Sequence, residues 1–230
     1  MSPAHFAVNF FVALFALIDP LGNTPLFAAA TAGARPAGSR LTAAYIALFA
    51  FIFLTFFFVT GLSLLRFFGI GLAAFRIAGG VLLLLLGLDM ARGQFAANLA
   101  DATDTAGLTT GAYARREFER LVVPFAMPLL IGPGAISTAV IYAGEAHRLG
   151  LVGQLVGLAV IAATGLSIVA SFWYASLITR LLGRVGTIIV VRVLGLILCA
   201  LAVQFMLAGI ADSTVGVMRP SAATPYPIGS

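Results

Sequence analysis

Apolar residues form six long runs along the chain, separated by stretches that contain arginine, proline or glycine. A helix that crosses a membrane needs about 20 mostly apolar residues, and each run is long enough to be one. The predicted spans are 6–31, 42–65, 68–90, 120–143, 150–178 and 185–210. The pattern therefore predicts an all-α polytopic membrane protein with about six transmembrane helices.

Composition supports this class and excludes several others. Of the 230 residues, 61% are hydrophobic and 9% are charged, whereas soluble domains average about 45–50% apolar and 25% charged residues. The net charge of +5 comes from arginines that lie mostly between the apolar runs, as membrane flanks do, and this predicts no nucleic-acid partner. The single cysteine, Cys199, allows no disulfide within the chain. No metal site or cofactor is predicted.

The two halves of the chain resemble each other. The stretch Phe75–Leu82 matches Val191–Leu198, with an Arg and a Gly recurring at an offset of 116, and the segments broken by Pro and Gly recur at about 112. Aliphatic residues often match by chance, so the inference of an internal repeat depends mainly on the Arg and Gly matches. Three spans per half is an odd number, so the second half must be inverted relative to the first, as in many secondary transporters.

Proline and glycine interrupt the first and fourth spans near their middles. The first contains Asp-Pro-Leu-Gly-Asn-Thr-Pro at 19–25, and the fourth contains three prolines and two glycines between 124 and 134. Proline lacks an amide hydrogen and breaks the helical ladder. We expect new helix starts near Asn23–Pro25 and Gly134–Ser137, where free amides can bind an anion such as a carboxylate. The alternative is a pair of ordinary kinks.

Asp19 is the most distinctive residue, because a carboxylate at membrane depth is costly and suggests a functional site. Four roles are open for it. It can carry a coupling proton, bind a cation, hold a substrate ammonium group or cap the broken helix.

Arginines predict the orientation of the chain. The loops between spans 1 and 2, 3 and 4, and 5 and 6 share one face. This face carries Arg35, Arg40, Arg92, Arg115, Arg116, Arg120, Arg180 and Arg184, against Arg66, Arg148 and Arg219 on the other. The positive-inside rule places the arginine-rich face in the cytoplasm. We therefore expect an inner-membrane protein whose two termini are both periplasmic.

The chain divides into four predicted segments. Residues 1–92 form the first three-helix repeat, 93–118 a cytoplasmic connecting loop, and 119–211 the second, inverted repeat. Residues 212–230 form a tail rich in Ser, Thr and Pro that we expect to be disordered.

Two motifs resemble the signatures of the MarC family of membrane proteins, over about residues 6–210. The first is FALIDPLGNTPLF at 15–27 and the second is VPFAMPLLIGPGAI at 123–136. The resemblance implies a six-span transporter of small neutral amino acids, such as glycine and alanine, that is coupled to H⁺ (or Na⁺). Its motifs imply a substrate site made of Asp19, Gly22, Asn23, Thr24, Gly132, Gly134, Ala135 and Ser137. Many members carry Asn where this chain has Asp19.

Two other function classes compete with a carrier. A passive channel or a regulatory membrane scaffold also accommodates broken helices, and the sequence leaves homo-oligomerisation open. An intramembrane aspartyl protease needs two carboxylates at one depth, but Asp89 lies at a span end while Asp19 is mid-span. We expect no enzymatic activity. Small neutral amino acids, a coupling ion and membrane lipid are the expected partners.

Overall fold

The computed structural model describes residues 2–31, 35–61, 63, 67–93 and 109–214. Every regular element in these ranges is helical, and they contain no strand. Residues 215–230 of the predicted tail and residues 94–108 of the predicted connecting loop lie outside the described residues, and Asp212 and Ser213 belong to the last helix.

Eight α-helices and one irregular segment follow one another along the described chain. The helices are α1 Pro3–Ile18, α2 Pro20–Ala30, α3 Pro36–Thr60, α4 Leu72–Arg92, α5 Thr110–Leu121, α6 Pro133–Arg148, α7 Gly150–Trp173 and α8 Ala175–Ser213. A wide, π-type segment, Val122–Leu130, connects α5 to α6. Helix α8 is interrupted at Gly183, which has a φ of 62°.

Prolines set the start of half of these helices. Pro3, Pro20, Pro36 and Pro133 each occupy the first helical position, where the missing amide hydrogen costs nothing and the fixed φ already suits a helix. The residue before a proline disfavours right-handed helical backbone, and Ser2, Asp19, Arg35 and Gly132 all lie outside that conformation.

Within the described ranges, five helical stretches are long and apolar enough to cross a membrane. They are Pro3–Ala30, Pro36–Thr60, Ala73–Arg92, Gly150–Trp173 and Ile188–Ser213. The predicted span at 120–143 is not one helix, because it is divided among the end of α5, the Val122–Leu130 segment and α6. Val123 and Met127 have extended backbone (φ −124° and −139°), since each precedes a proline.

Stacked aromatic side chains join helices from the two halves of the chain. Phe27 of α2 stacks on Phe172 of α7, with ring centroids 4.5 Å apart, and both contact Phe125. Phe10 of α1 stacks on Tyr142 of α6 at 4.6 Å. Such ring pairs contribute about 0.5–1.5 kcal/mol beyond their buried area, so they tie α1 and α2 to the second half of the chain.

Glycines allow α4 and α8 to pack closely as an antiparallel pair. A Cβ on Gly87 would lie 2.9 Å from the Gly195 carbonyl oxygen, and a Cβ on Gly195 would lie 2.8 Å from the Gly87 carbonyl oxygen. Larger residues would force these backbones apart. Close helix approach through small residues is typical of membrane proteins.

Candidate functional site

The chain leaves α1 and enters α2 through Asp19. Its backbone is left-handed, with φ 42° and ψ 64°, and it is the one non-glycine residue with positive φ in the described chain. Its amide donates to the Phe15 carbonyl oxygen, which closes α1. Its carboxylate Oδ1 accepts a 3.0 Å hydrogen bond from the Gly22 amide. Asp19 is therefore both the end of α1 and the N-cap of α2.

Gly22 is required by this cap. A Cβ at position 22 would lie only 2.7 Å from Asp19 Cγ and would therefore overlap the Asp19 carboxylate. The carboxylate can approach the start of α2 only because residue 22 has no side chain.

Asn23 and Thr24 stabilise the same turn through buried side-chain hydrogen bonds. The Asn23 side-chain amide donates to the carbonyl oxygens of Ile18, at 2.8 Å, and Asp19, at 3.1 Å. The Thr24 hydroxyl donates to the Pro20 carbonyl oxygen at 2.8 Å. Both side chains are buried. Because both side chains donate to backbone carbonyl oxygens, they stabilise the conformation of the turn.

Helix α2 therefore starts earlier than the sequence predicts. It begins at Pro20 and not near Asn23–Pro25. Pro25 is accommodated inside α2, where it lacks the bond that its amide would make to the Leu21 carbonyl. The break is set by the Asp19–Pro20 pair and not by the second proline.

The start of α6 has free amides. Its N-cap is Gly132, which has no side chain to fill the position, and Pro133 is the first helical residue. The Ile136 amide donates to the Gly132 carbonyl oxygen. The first amides of a helix have no acceptor within that helix, and no acceptor outside the helical elements is found among the described residues for the amides of Gly134 and Ala135. Free amides at a helix start carry partial positive charge.

Ser137 adds an unsatisfied hydroxyl one turn further along α6. The residue is 1% exposed, and its Oγ has no hydrogen-bond partner in the described part of the chain. A buried polar group without a partner costs about 1–3 kcal/mol and calls for an explanation.

The two interruptions lie next to each other. A Cβ on Gly134 would lie 3.2 Å from Leu17 Cδ2 and would overlap the ring of Phe205. Leu17 belongs to the last turn of α1, two residues before Asp19. The first turn of α6 is therefore covered by the end of α1 and by α8.

A cleft of about 100 Å³ opens beside the first interruption. Its lining is Ala16, Leu17, Asp19, Gly22, Asn23, Leu26, Met90, Leu129, Leu194, Ile197, Leu198 and Leu201. Asp19 is the one charged residue in this lining and is exposed. The cleft is small beside the 300–1,000 Å³ of pockets for drug-sized ligands, so it suits a solute of a few non-hydrogen atoms.

The structure brings three predicted site residues into the cleft and leaves five outside it. Asp19, Gly22 and Asn23 line the cleft. Thr24 and the four predicted residues around the α6 start are buried nearby and do not line it. The apolar residues that α4 and α8 contribute to the cleft were not predicted. In a long apolar run, the sequence does not distinguish a leucine that lines a cleft from one that does not.

The far end of α2 is held by α5. Arg120 Nη2 donates to the carbonyl oxygen of Ala30, the last residue of α2, at 2.9 Å. Arg120 also pairs with Glu117, which is 7% exposed. A guanidinium at a helix C-terminus is favourable because carbonyl groups give that end partial negative charge.

The fold and the apolar helices define an α-helical integral membrane protein. The model of the MarC family of integral membrane proteins matches residues 4–214. The chain is similar to UPF0056 membrane proteins, with 37% identity over 200 residues in Methanocaldococcus jannaschii (87% of this chain, 93% of the relative). The UPF0056 membrane protein YhcE of Escherichia coli is 32% identical over 221 residues, 94% of this chain and 96% of that protein. No solved structure matches the chain.

The chain thus belongs to the MarC family of integral membrane proteins, as its two motifs predict.

Proposed function

We propose that this protein is a secondary active transporter of small neutral amino acids, such as glycine and alanine, and not an enzyme. Transport is coupled to the proton gradient, or to sodium. The proposal rests on one observation: the interruption at Asp19 and the interruption at the start of α6 are adjacent and offer groups of opposite charge. One presents the Asp19 carboxylate, and the other presents free amides and a free hydroxyl. An amino acid has the complementary pair of charges.

The ammonium group of the substrate binds at Asp19. Gly22 uses Oδ1 of the carboxylate, and the other oxygen is free for an ammonium donor. The Ala16 carbonyl lacks its usual helical donor, because the residue four positions later is Pro20. Free carbonyls at the end of α1 add to the negative potential of the carboxylate. The start of α2 is already capped by Asp19 and is not the carboxylate site.

The carboxylate of the substrate binds at the start of α6. The Gly134 and Ala135 amides and the Ser137 hydroxyl supply donors that lack partners in the described chain. Leu17 and Phe205 cover this turn, so both side chains must move before substrate can reach it. Such a movement fits alternating access, in which one group of helices rocks against another.

An inverted repeat is the second part of the proposal, and reciprocal contacts support it. A Cβ on Gly209 of α8 would lie 3.3 Å from Arg76 Cβ of α4, and a Cβ on Gly93 after α4 would lie 3.1 Å from Arg192 Nη2 of α8. Each residue of the first contact corresponds to one of the second at an offset of 116. A two-fold axis that exchanges the halves requires this pairing of contacts.

Helix packing supports the same symmetry. Helix α2 packs on α7 and α8, while α6 packs on α3 and α4, which are their counterparts in the other half. Under the proposal, the interruptions at Asp19 and at Val122–Leu130 are the broken helices of the two repeats.

The distribution of charge supports an inner-membrane location with periplasmic termini. The end of the bundle that holds the start of α3, the end of α4 and α5 is rich in arginine. It carries Arg35, Arg40, Arg92, Arg115, Arg116 and Arg120 against Asp89, Glu117 and Glu119. Under the positive-inside rule this end is cytoplasmic.

A binding experiment tests the two-charge site. The purified protein is heated in detergent with glycine, with acetate or with methylamine at equal concentration, and its unfolding temperature is followed. A ligand that binds only the folded state raises this temperature. Glycine is expected to raise it at a concentration at which acetate and methylamine do not. An equal effect of acetate or of methylamine would contradict a site that needs both charges.

A further inference from the structure

Four exposed arginines form a basic surface at the arginine-rich end of the bundle. The surface consists of Arg35, Arg40, Arg115 and Arg116. The first two belong to the start of α3 and the others to α5. The ring of Tyr113 lies against Gly38, where a Cβ would be 2.7 Å from Tyr113 Cδ1. This contact brings the starts of the two helices together.

Most of the positive charge of this surface is not neutralised. Arg115 pairs with Glu119 at 3.2 Å, and both side chains are exposed. Arg35, Arg40 and Arg116 have no acidic partner within the ranges that the structure describes. Burial, and then Glu117, raises the pKa of Tyr113 to about 12. A tyrosine hydroxyl is neutral at physiological pH even at its ordinary pKa of about 10, so Tyr113 adds no negative charge to the surface.

The surface adjoins the lipid-facing side of the protein. Arg40 lies on the outer face of α3, and exposed apolar residues follow it at four-residue steps, namely Ala44, Leu48, Ile52 and Phe56. Its guanidinium lies 4.5 Å from the ring centroid of Trp173, which is 44% exposed at the end of α7. Tryptophan at the end of a span marks the level of the lipid headgroups.

We propose that the basic surface binds the phosphate headgroup of an anionic phospholipid, such as phosphatidylglycerol, in the adjoining leaflet. The acyl chains lie along the apolar face of α3 below Arg40. A guanidinium that stacks on an indole ring keeps its N–H edges free for phosphate oxygens. A soluble acidic partner would bind the arginines but would leave unexplained the row of exposed apolar residues that follows Arg40 on the same face of α3.

Native mass spectrometry tests the proposal without any transport assay. The intact protein is released from nanodiscs that contain equal amounts of phosphatidylglycerol and phosphatidylcholine, and the retained lipids are counted. The test variant is Arg40→Gln/Arg116→Gln. The control is Arg148→Gln, because Arg148 is exposed (79% of its side chain) and pairs with Glu145 outside the basic surface. Thermal unfolding of each variant verifies that it is folded.

The wild type and the control are expected to retain phosphatidylglycerol in preference to phosphatidylcholine. The double variant should lose this preference, since each arginine near an anionic membrane contributes about a fivefold factor. Equal retention by the folded double variant and the wild type would overturn the proposal. Binding of soluble polyglutamate with no preference among lipids would also overturn it, and would indicate an acidic protein partner.

Discussion

Replacing Arg120 by alanine is expected to destabilise the protein strongly, because it leaves the Glu117 carboxylate buried without its partner. The Glu117 side chain is 9% exposed and that of Arg120 is 26% exposed. Breaking a buried ion pair costs about 3–5 kcal/mol, whereas exposed pairs contribute about 0–1 kcal/mol. The partial exposure of Arg120 reduces the cost to about 2–3 kcal/mol. This value includes the hydrogen bond to Ala30 at the end of α2.

Thermal unfolding in dodecyl maltoside, followed by circular dichroism, measures the effect. A loss of this size corresponds to a decrease of about 5–10 °C in the unfolding temperature for a chain of this length. Arg115→Ala is the matched control on the same helix, because Arg115 also pairs with a glutamate but is 80% exposed. It should change stability by no more than about 0.5 kcal/mol.

A second substitution separates the buried charge from the lost contacts. Glu117→Gln in the Arg120→Ala background removes the uncompensated carboxylate, so the double variant should be more stable than Arg120→Ala alone. If Arg120→Ala and Arg115→Ala unfold at the same temperature, the reasoning about the Glu117–Arg120 pair is wrong. If the second substitution lowers stability further, the carboxylate was not the source of the cost.

The remaining predictions concern the glycine contacts and the proposed site. Gly195→Ala places a Cβ 2.8 Å from a backbone oxygen of α4 and should cost about 1–3 kcal/mol in thermal unfolding. Gly144→Ala meets no atom within 4 Å and should be neutral or stabilising by up to about 1 kcal/mol; equal losses would contradict the packing. Ser137→Ala should stabilise the ligand-free protein by about 1–3 kcal/mol, because it removes a buried hydroxyl without a partner, and should weaken glycine binding about tenfold by calorimetry. Asp19→Asn keeps a capping side chain for Gly22 but should also weaken glycine binding about tenfold; unchanged affinity in both variants would remove this site.

Local rules of proline chemistry explain several of the non-helical residues in the Asp19 and Val122–Leu130 segments. Val123, Met127 and Gly132 are extended because each precedes a proline, whereas Asp19, which also precedes a proline, has left-handed backbone. The exact start of α2 was not predictable at this level. Two prolines compete in that motif, and only the tertiary setting decides that the second one is tolerated inside a helix.

The sequence predicts some of the polar groups of the candidate site and not how they are used. The sequence singles out Asp19, but it cannot tell that the Asp19 carboxylate caps the start of α2 while the start of α6 has no side-chain cap. The difference arises because Asp19 has a carboxylate at the N-cap of α2, whereas Gly132 at the N-cap of α6 has no side chain. The role of Arg120 was missed, since its contact with Ala30 joins residues that are 90 positions apart.

Uptake of labelled glycine into proteoliposomes tests the central claim most directly. An inward proton gradient is imposed, then a sodium gradient, each with and without an ionophore that collapses it, and empty liposomes serve as the control. The account predicts saturable accumulation of glycine above its external concentration under one of the two gradients, and loss of that accumulation with the ionophore. Folded protein that accumulates neither glycine nor alanine under either gradient would contradict the account.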